Sequence, residues 1–174
     1  MYSHVKHKRE SPVKLKFGVV VVSTSRFQAL RRDPRVKDLT GDLIEEKLRE
    51  SKQEVVVRTI IPDDVKAIRE TLENCLRKGC DVVIFAGGTG ISKSDVTIEA
   101  LKPLLEKELP GFGELFRMLS YREIGSAAML TRCLAGVYRG AVIFAIPGSP
   151  HAAKLALESL ILPEAGHLVK HARE

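Results

Sequence analysis

Four short runs rich in β-branched residues recur along the chain and are separated by stretches with helical periodicity. They are KFGVVVVS (16–23), EVVVRTII (54–61), DVVIFA (81–86) and GAVIFAI (140–146). Their apolar residues are nearly continuous rather than alternating, which is typical of parallel strands covered on both faces. The alternation of strand and helix predicts an α/β fold: a three-layer α/β/α sandwich with a mostly parallel, doubly wound sheet and right-handed crossovers.

The spacing of apolar residues and the positions of proline and glycine predict the helices. We predict them over residues 39–50, 63–78, 94–107 and 150–162. The first has an apolar face made of Leu39, Leu43, Ile44 and Leu48. Pro62 and Gly79 bracket the second as a helix prefers, Pro103 should kink or restart the third, and Pro163 should end the fourth. Residues 108–139 break the rhythm and suggest a short helix and a hairpin.

The length of 174 residues suits one domain, which we place at residues 15–174 after a flexible basic tail over 1–14. Much of the net charge of +6 lies in that tail and in a loop over residues 26–37. The loop is either solvated or turned towards an anionic ligand. Aromatic residues make up only 5% of the chain, so few side chains are available to stack on nucleobases, and we expect no nucleic-acid partner.

The cysteines indicate a reducing compartment. Cys75, Cys80 and Cys133 form no Cys-x-x-Cys pair, and the five histidines make no matching ligand cluster. Such thiols are expected to be reduced and mostly buried. No apolar run approaches the roughly 18 residues that span a bilayer. We therefore predict a cytoplasmic protein without a membrane partner.

The glycine-rich segment AGGTGISKSD (86–95) follows the third strand, at the sheet edge where α/β proteins bind ligands. Its amides can converge on an anion such as a phosphate, although a purely structural turn gives the same composition. Ser92 replaces the second glycine of a P-loop, and Lys93 replaces the third glycine of a dinucleotide fingerprint. Asp95 fits a helix N-cap or a ligand of Mg²⁺ between carboxylate and phosphate.

Two other segments end at the same predicted edge. The turn Pro147-Gly148-Ser149 follows the fourth strand, so its amides and the Ser149 hydroxyl should face Gly87–Gly90. Asp38, in KDLTGD (37–42), precedes the first predicted helix and is either a cap or a ligand of the same cation or of a polar substrate. Two such turns after two strands favour a shared cleft.

These segments together resemble the MoaB/Mog family of molybdenum cofactor biosynthesis, and the MoaB branch in particular. The resemblance covers roughly residues 15–165. It is carried by GGTGISKSDVTIEA (87–100), PGFGELFRMLSYREIGSAAMLTR (110–132) and PGS (147–149). It implies a homotrimer or homohexamer that works with other cofactor-biosynthesis proteins. The implied reaction is Mg²⁺-dependent transfer of AMP from ATP to the terminal phosphate of molybdopterin, with release of pyrophosphate.

The resemblance also implies residue roles. Asp38 and Asp95 would be the catalytic acids and Mg²⁺ ligands. Substrate would be bound by Ser23, Gly87, Gly88, Thr89, Gly90, Ser92, Thr131, Pro147, Gly148 and Ser149. Many active members carry Ser-Asp after the first strand, where this chain has Ser23-Thr24. That departure leaves a non-catalytic molybdopterin-binding or scaffold protein as the alternative.

Overall fold

A single six-stranded sheet organises the computed structural model, which describes residues 14–174. The strands are β1 (Lys16–Val22), β2 (Glu54–Ile61), β3 (Val82–Ala86), β4 (Lys107–Glu108), β5 (Leu134–Tyr138) and β6 (Ala141–Ile146). Their order is β2-β1-β3-β6-β5-β4. The four predicted strands are confirmed as β1, β2, β3 and β6, which run parallel, while β5 is antiparallel to both neighbours. Apart from Lys14, the predicted tail lies outside the described residues.

Helices cover both faces of the sheet. They are α1 (Thr24–Arg32), α2 (Leu39–Glu50), α3 (Val65–Arg77), α4 (Thr97–Leu101), α5 (Pro110–Ile124), α6 (Pro150–Ala156) and α7 (Leu162–Ala172). One apolar core lies between the sheet and α2, α5, α6 and α7, and a second lies beneath α3 and α4. The predicted three-layer α/β/α sandwich is therefore confirmed.

Strand β3 shows why the central strands are apolar without alternation. All five of its residues are buried. Ile84 points into one core and Phe85 into the other, because successive side chains of a strand leave opposite faces of the sheet. The prediction for α2 was right about Ile44 and Leu48 but wrong about Leu39, which is 60% exposed at the first turn.

The basic segment 26–37, expected to be a loop, is helical in its first half. Helix α1 begins after Ser23, whose hydroxyl accepts a hydrogen bond from the Arg26 amide at 3.3 Å. A serine in this role satisfies an amide that otherwise lacks a partner. None of the residues of α1 is fully buried, so the helix has no strong apolar stripe from which the sequence could predict it.

Two proline predictions had opposite outcomes. Pro103 does restart the third helix: α4 ends at Leu101 and a 3-10 turn follows over Lys102–Leu104. Pro163 does not end the last helix, because a π turn over Leu157–Ile161 leads into α7, which runs to Ala172. A proline is tolerated there because the first turn of a helix does not use its amide hydrogen.

The irregular region 108–139 contains the predicted helix, which is not short, and the first strand of a hairpin that ends beyond the region. The helix is α5, with fifteen residues, and a 3-10 turn over Gly125–Leu130 follows it. The hairpin joins β5 to β6 through Arg139 and Gly140, whose φ angles are 51° and 75°. Positive φ at both central positions is the geometry that matches the twist of a two-residue hairpin.

Candidate active site at the carboxyl edge of the sheet

The glycine turn after β3 is held against the strands on either side. The Gly87 amide donates to the Ile146 carbonyl at 3.0 Å, and the Thr97 hydroxyl donates to the Gly87 carbonyl at 2.8 Å. The φ angles of Gly87 and Gly88 are 109° and 61°, and a Cβ on Gly87 would lie 2.3 Å from the Val22 carbonyl oxygen. These positions therefore require glycine, and the turn is fixed in place before any ligand arrives.

The second turn touches the first. A Cβ on Gly148 would lie 3.0 Å from the Cα of Gly87, so the two backbones are in direct contact. The Thr40 hydroxyl at the start of α2 donates to the Gly148 carbonyl at 2.7 Å and ties the second turn down. Both turns line one cavity of about 540 Å³. The shared cleft predicted from the sequence is therefore present.

The structure brings most of the predicted site residues to this cavity. Those that line it are Ser23, Gly87, Gly88, Thr89, Gly90, Asp95, Thr131, Pro147 and Gly148. Asp38, Ser92 and Ser149 are absent from its lining. Ser149 is the N-cap of α6, and its hydroxyl accepts from the Ala152 amide at 3.2 Å. Its contact with substrate stays a prediction.

Ser92 lies just outside the cavity beside Asp95. Its amide donates to Asp95 Oδ2 at 2.9 Å, and its hydroxyl is 3.1 Å from that of Ser94. Ser94 lines the cavity instead. The loop 86–95 thus presents a different serine from the one predicted, since the turn around Asp95 directs the Ser92 amide inward to the carboxylate.

Asp38 lies behind the cavity wall and contacts three protein groups. Its carboxylate is 6% exposed and accepts from the Gly41 amide at 3.2 Å, as the N-cap of α2. Arg26 Nη1 and Arg58 Nη2 lie 3.4 and 2.5 Å from its two oxygens. Two guanidinium groups contact the oxygens that a cation would use, so Asp38 is observed here as a cap and an ion-pair partner. Its catalytic and Mg²⁺-binding role stays a prediction.

A second acid in the cavity was missed by the sequence reasoning. Asp63 is the second residue after β2 and lines the cavity together with Asp95. Its Oδ2 accepts hydrogen bonds from the amide and hydroxyl of Thr24, at 2.7 and 2.8 Å. The available signal was its position immediately after Pro62 at the carboxyl end of a parallel strand, the same edge as the glycine turn.

Positive charge and helix amides also face the cavity. Ser23, Ser25 and Arg26 bring the N-terminus of α1 to its wall, where a helix favours anions. On the other side Arg132 lines the cavity and pairs with Glu99. Burial acts to raise the pKa of Glu99, but its hydrogen bond to Arg132 holds that pKa below the usual value.

The two cavity acids have oxygens to spare. Among residues 14–174, neither Asp63 Oδ1 nor Asp95 Oδ1 accepts a hydrogen bond. A Cβ on Gly88 would lie 2.8 Å from Asp63 Oδ1, and one on Gly90 would lie 2.8 Å from Asp95 Oδ2, so the glycines leave both carboxylates open. In the same span, no three His, Cys, Asp or Glu side chains form a ready metal cluster. Mg²⁺ is commonly coordinated by one or two protein carboxylates, with phosphate oxygens of the substrate and water in the remaining positions.

Residues 18–167 match the model of a family described as "probable molybdopterin binding domain". The chain belongs to this family. It is 43% identical to a probable molybdopterin adenylyltransferase of Methanocaldococcus jannaschii, over 97% of this chain and 99% of the relative. It is 44% identical to the molybdopterin adenylyltransferase of Pyrococcus furiosus, over 97% of each chain.

Solved structures agree with the fold. The crystal structure of the tungsten cofactor synthesizing protein MoaB from Pyrococcus furiosus is similar, with a TM-score of 0.86 at 43% identity. The match covers 94% of this chain and all of that one.

A Bacillus subtilis protein named molybdenum cofactor biosynthesis protein B is also 43% identical, over 97% of this chain and 96% of the relative. None of the helices within residues 14–174 is both long and apolar enough to span a bilayer.

Proposed function

We propose that this protein is a molybdopterin adenylyltransferase of molybdenum or tungsten cofactor biosynthesis. The reaction transfers AMP from ATP to the terminal phosphate of molybdopterin and releases pyrophosphate. Relatives over 40% identical across nearly the whole chain carry the name of this activity. The observation that carries the proposal is the contact of the two turns, because it brings Gly87–Gly90 and Pro147–Gly148 into the wall of one cavity beside Asp63 and Asp95.

The chemistry asks little of the protein in the way of proton transfer. An oxygen of the pterin phosphate is already an anion; it forms a bond to the α-phosphorus of ATP while the bond from that phosphorus to the bridging β-oxygen breaks. The electron pair leaves with pyrophosphate. Catalysis then consists of alignment and charge neutralisation. The glycine-turn amides, the start of α1, Arg26 and Arg132 supply positive potential at the cavity wall.

Asp63 and Asp95 would hold Mg²⁺ in this cavity. Asp63 and Asp95 each commit one oxygen to the protein and leave Oδ1 for a cation. A bound ion would neutralise phosphate oxygens and the developing charge on pyrophosphate. Thr24 supports this arrangement, because it fixes Asp63 rather than contributing a carboxylate of its own.

The competing function is a non-catalytic molybdopterin-binding protein, which the sequence suggests because Thr24 stands where the family resemblance implies an acid. The experiment uses molybdopterin, Mg²⁺ and two ATP preparations, labelled at the α- or the γ-phosphate. Transfer moves the α-label to the pterin and the γ-label to pyrophosphate. Pterin that co-purifies with the protein while both labels stay in ATP would leave only the binding role.

We also propose that the protein is a homo-oligomer, a trimer or hexamer, that works in the cytoplasm. Exposed apolar side chains cluster along α5 and the turn after it: Leu115, Met118, Tyr121, Ile124, Met129 and Leu130. Exposed apolar groups at this density are characteristic of interfaces. All three cysteines are free thiols, as expected in a reducing compartment.

A further inference from the structure

Arg26 connects the cavity to a chain of charges behind it. Its guanidinium lines the cavity, and its side chain is 32% exposed. Its one ion-pair partner among residues 14–174 is Asp38, at 3.4 Å. Arg58 approaches the other oxygen of Asp38 at 2.5 Å and does not line the cavity. The buried carboxylate therefore lies between two guanidinium groups, one inside the cavity and one outside.

The distances decide which arginine neutralises Asp38. Coulomb attraction falls with the reciprocal of distance, so the Arg58 contact is the stronger of the two. Asp42 and Glu45 also face Arg58, at 3.3 and 3.8 Å. Asp42 is 65% exposed and screened by water, and Glu45 has its own partner in Arg49 at 2.6 Å. The ion pair with the buried Asp38 carboxylate is therefore the strongest that Arg58 makes.

Gly41 makes this arrangement sterically possible. A Cβ at this position would lie 2.0 Å from Arg58 Nη2 and 2.3 Å from Asp38 Oδ2. Only a residue without a side chain lets the Arg58 guanidinium cross the first turn of α2 to reach the carboxylate. The segment 38–41 thus contacts both Arg58 and the second turn, since the Thr40 hydroxyl donates to the Gly148 carbonyl.

We infer that Arg26 binds a substrate phosphate, and that Arg58 keeps Arg26 available by neutralising Asp38 from outside the cavity. Arg58 is then a positioning residue that acts through Asp38. Without Arg58, the buried carboxylate would draw the Arg26 guanidinium into a full ion pair and away from the ligand. This inference rests on the proposed function for the identity of the ligands, ATP and molybdopterin, whose phosphates share the same chemistry.

The test measures binding rather than turnover. ATP, pyrophosphate and molybdopterin are titrated into the protein by calorimetry, with the Arg26→Gln and Arg31→Gln variants beside the unaltered protein. Arg31 is the matched control, because it lies on the same helix, stacks over Phe27 and does not line the cavity. We expect Arg26→Gln to raise Kd by about 10- to 100-fold, as for a lost charge-assisted hydrogen bond, and Arg31→Gln to change it less than about twofold.

The ligand whose Kd rises identifies the phosphate that Arg26 holds. A rise for ATP and pyrophosphate assigns Arg26 to the nucleotide, and a rise for molybdopterin alone assigns it to the pterin. No rise for any ligand overturns the inference. If Arg26→Gln weakens binding although the unaltered protein transfers no AMP, the proposed reaction fails while the phosphate contact stands.

The role of Arg58 is tested by charge rescue. Arg58→Gln should raise the same Kd by about 3- to 10-fold, since it leaves Asp38 to Arg26 alone. Adding Asp38→Asn should recover at least half of that loss on a logarithmic scale, because the competing charge is then gone. A purely structural role predicts the reverse, with the double variant binding no better than Arg58→Gln. Thermal unfolding of both variants verifies that they are folded at the titration temperature.

Discussion

Thr24 and Asp63 are joined by three hydrogen bonds. The amide and hydroxyl of Thr24 donate to Asp63 Oδ2 at 2.7 and 2.8 Å, and the Asp63 amide donates back to the Thr24 hydroxyl at 2.9 Å. The first residue of α1 and the second residue after β2 are thereby held together beside the cavity. Thr24 therefore fixes one of the two cavity carboxylates.

The side-chain part of this contact can be removed and restored. Thr24→Val should lower the free energy of unfolding by about 2 kcal/mol and reduce AMP transfer at least tenfold, because Asp63 loses a hydrogen-bond donor and its amide loses an acceptor. Thr24→Ser keeps the hydroxyl and should retain most of both. Denaturant unfolding and the labelled-ATP assay measure the two effects. Equal activity in the valine and serine variants would show that the hydroxyl is not needed.

The two cavity acids should control the requirement for Mg²⁺. Asp63→Asn and Asp95→Asn each remove a charged ligand oxygen, so the Mg²⁺ concentration for half-maximal transfer should rise at least tenfold, with kcat reduced as well. Asp64→Asn is the matched control, because Asp64 caps α3 through the Ala67 amide and asparagine caps equally well. A Mg²⁺ requirement that stays the same in all three variants would remove both acids from the metal site.

Cys133 should make the protein less stable in alkaline solution. Burial raises the pKa of this thiol from 9.0 to about 11. Below pH 9 the thiol is protonated in both states and costs nothing; between pH 9 and 11 the unfolded chain loses the proton while the folded chain keeps it. The unfolded state then gains about 3 kcal/mol. Cys133→Ala should lose less stability than the unaltered protein over this window, measured by urea unfolding at each pH; parallel curves would contradict the assignment.

The apolar surface of α5 should hold subunits together. Met118 and Tyr121 are 45% and 65% exposed. Glutamate at both positions would place charges inside a subunit contact, so Met118→Glu with Tyr121→Glu should convert the oligomer into monomers in light scattering. Leu39→Glu is the control, since Leu39 is also an exposed apolar residue, 60% exposed, on a different helix. An unchanged mass for the double variant would place the interface elsewhere.

The sequence predicted the parts of this molecule that depend on local pattern. The parallel strands β1, β3 and β6 were found because both faces of each are buried, which makes their apolar runs continuous. Strand β2 lies at the sheet edge and is only partly buried, and its β-branched residues carried its prediction. Helix α1 was missed because none of its residues is fully buried, and α7 was missed because a π turn lets the helix pass Pro163. Neither feature leaves a periodic signal.

The candidate site divides in the same way. The two glycine-bearing turns were predictable, since the strand that precedes each one fixes the sheet edge at which it lies. The contacts of Asp38 and Asp63 were not predictable, because they depend on partners far along the chain. Arg58 forms an ion pair with Asp38, and the Thr24 hydroxyl donates a hydrogen bond to Asp63. Both carboxylates precede or cap a helix in the sequence. Only the three-dimensional arrangement separates the paired acid from the one that faces the cavity.

The contact between Gly87 and Gly148 should be the most sensitive point of the cavity. A Cβ at position 148 would lie 3.0 Å from the Gly87 Cα, which is backbone and cannot move aside freely. Gly148→Ala should therefore lower the free energy of unfolding by about 1–3 kcal/mol. A displacement of the turn by even part of an ångström should also reduce AMP transfer by up to about 100-fold. The control is Gly111→Ala, where a Cβ meets nothing within 4 Å in the first turn of α5; this change should leave activity intact and stabilise the helix slightly. If Gly148→Ala retained full activity, the two turns would not need to touch for the reaction to proceed.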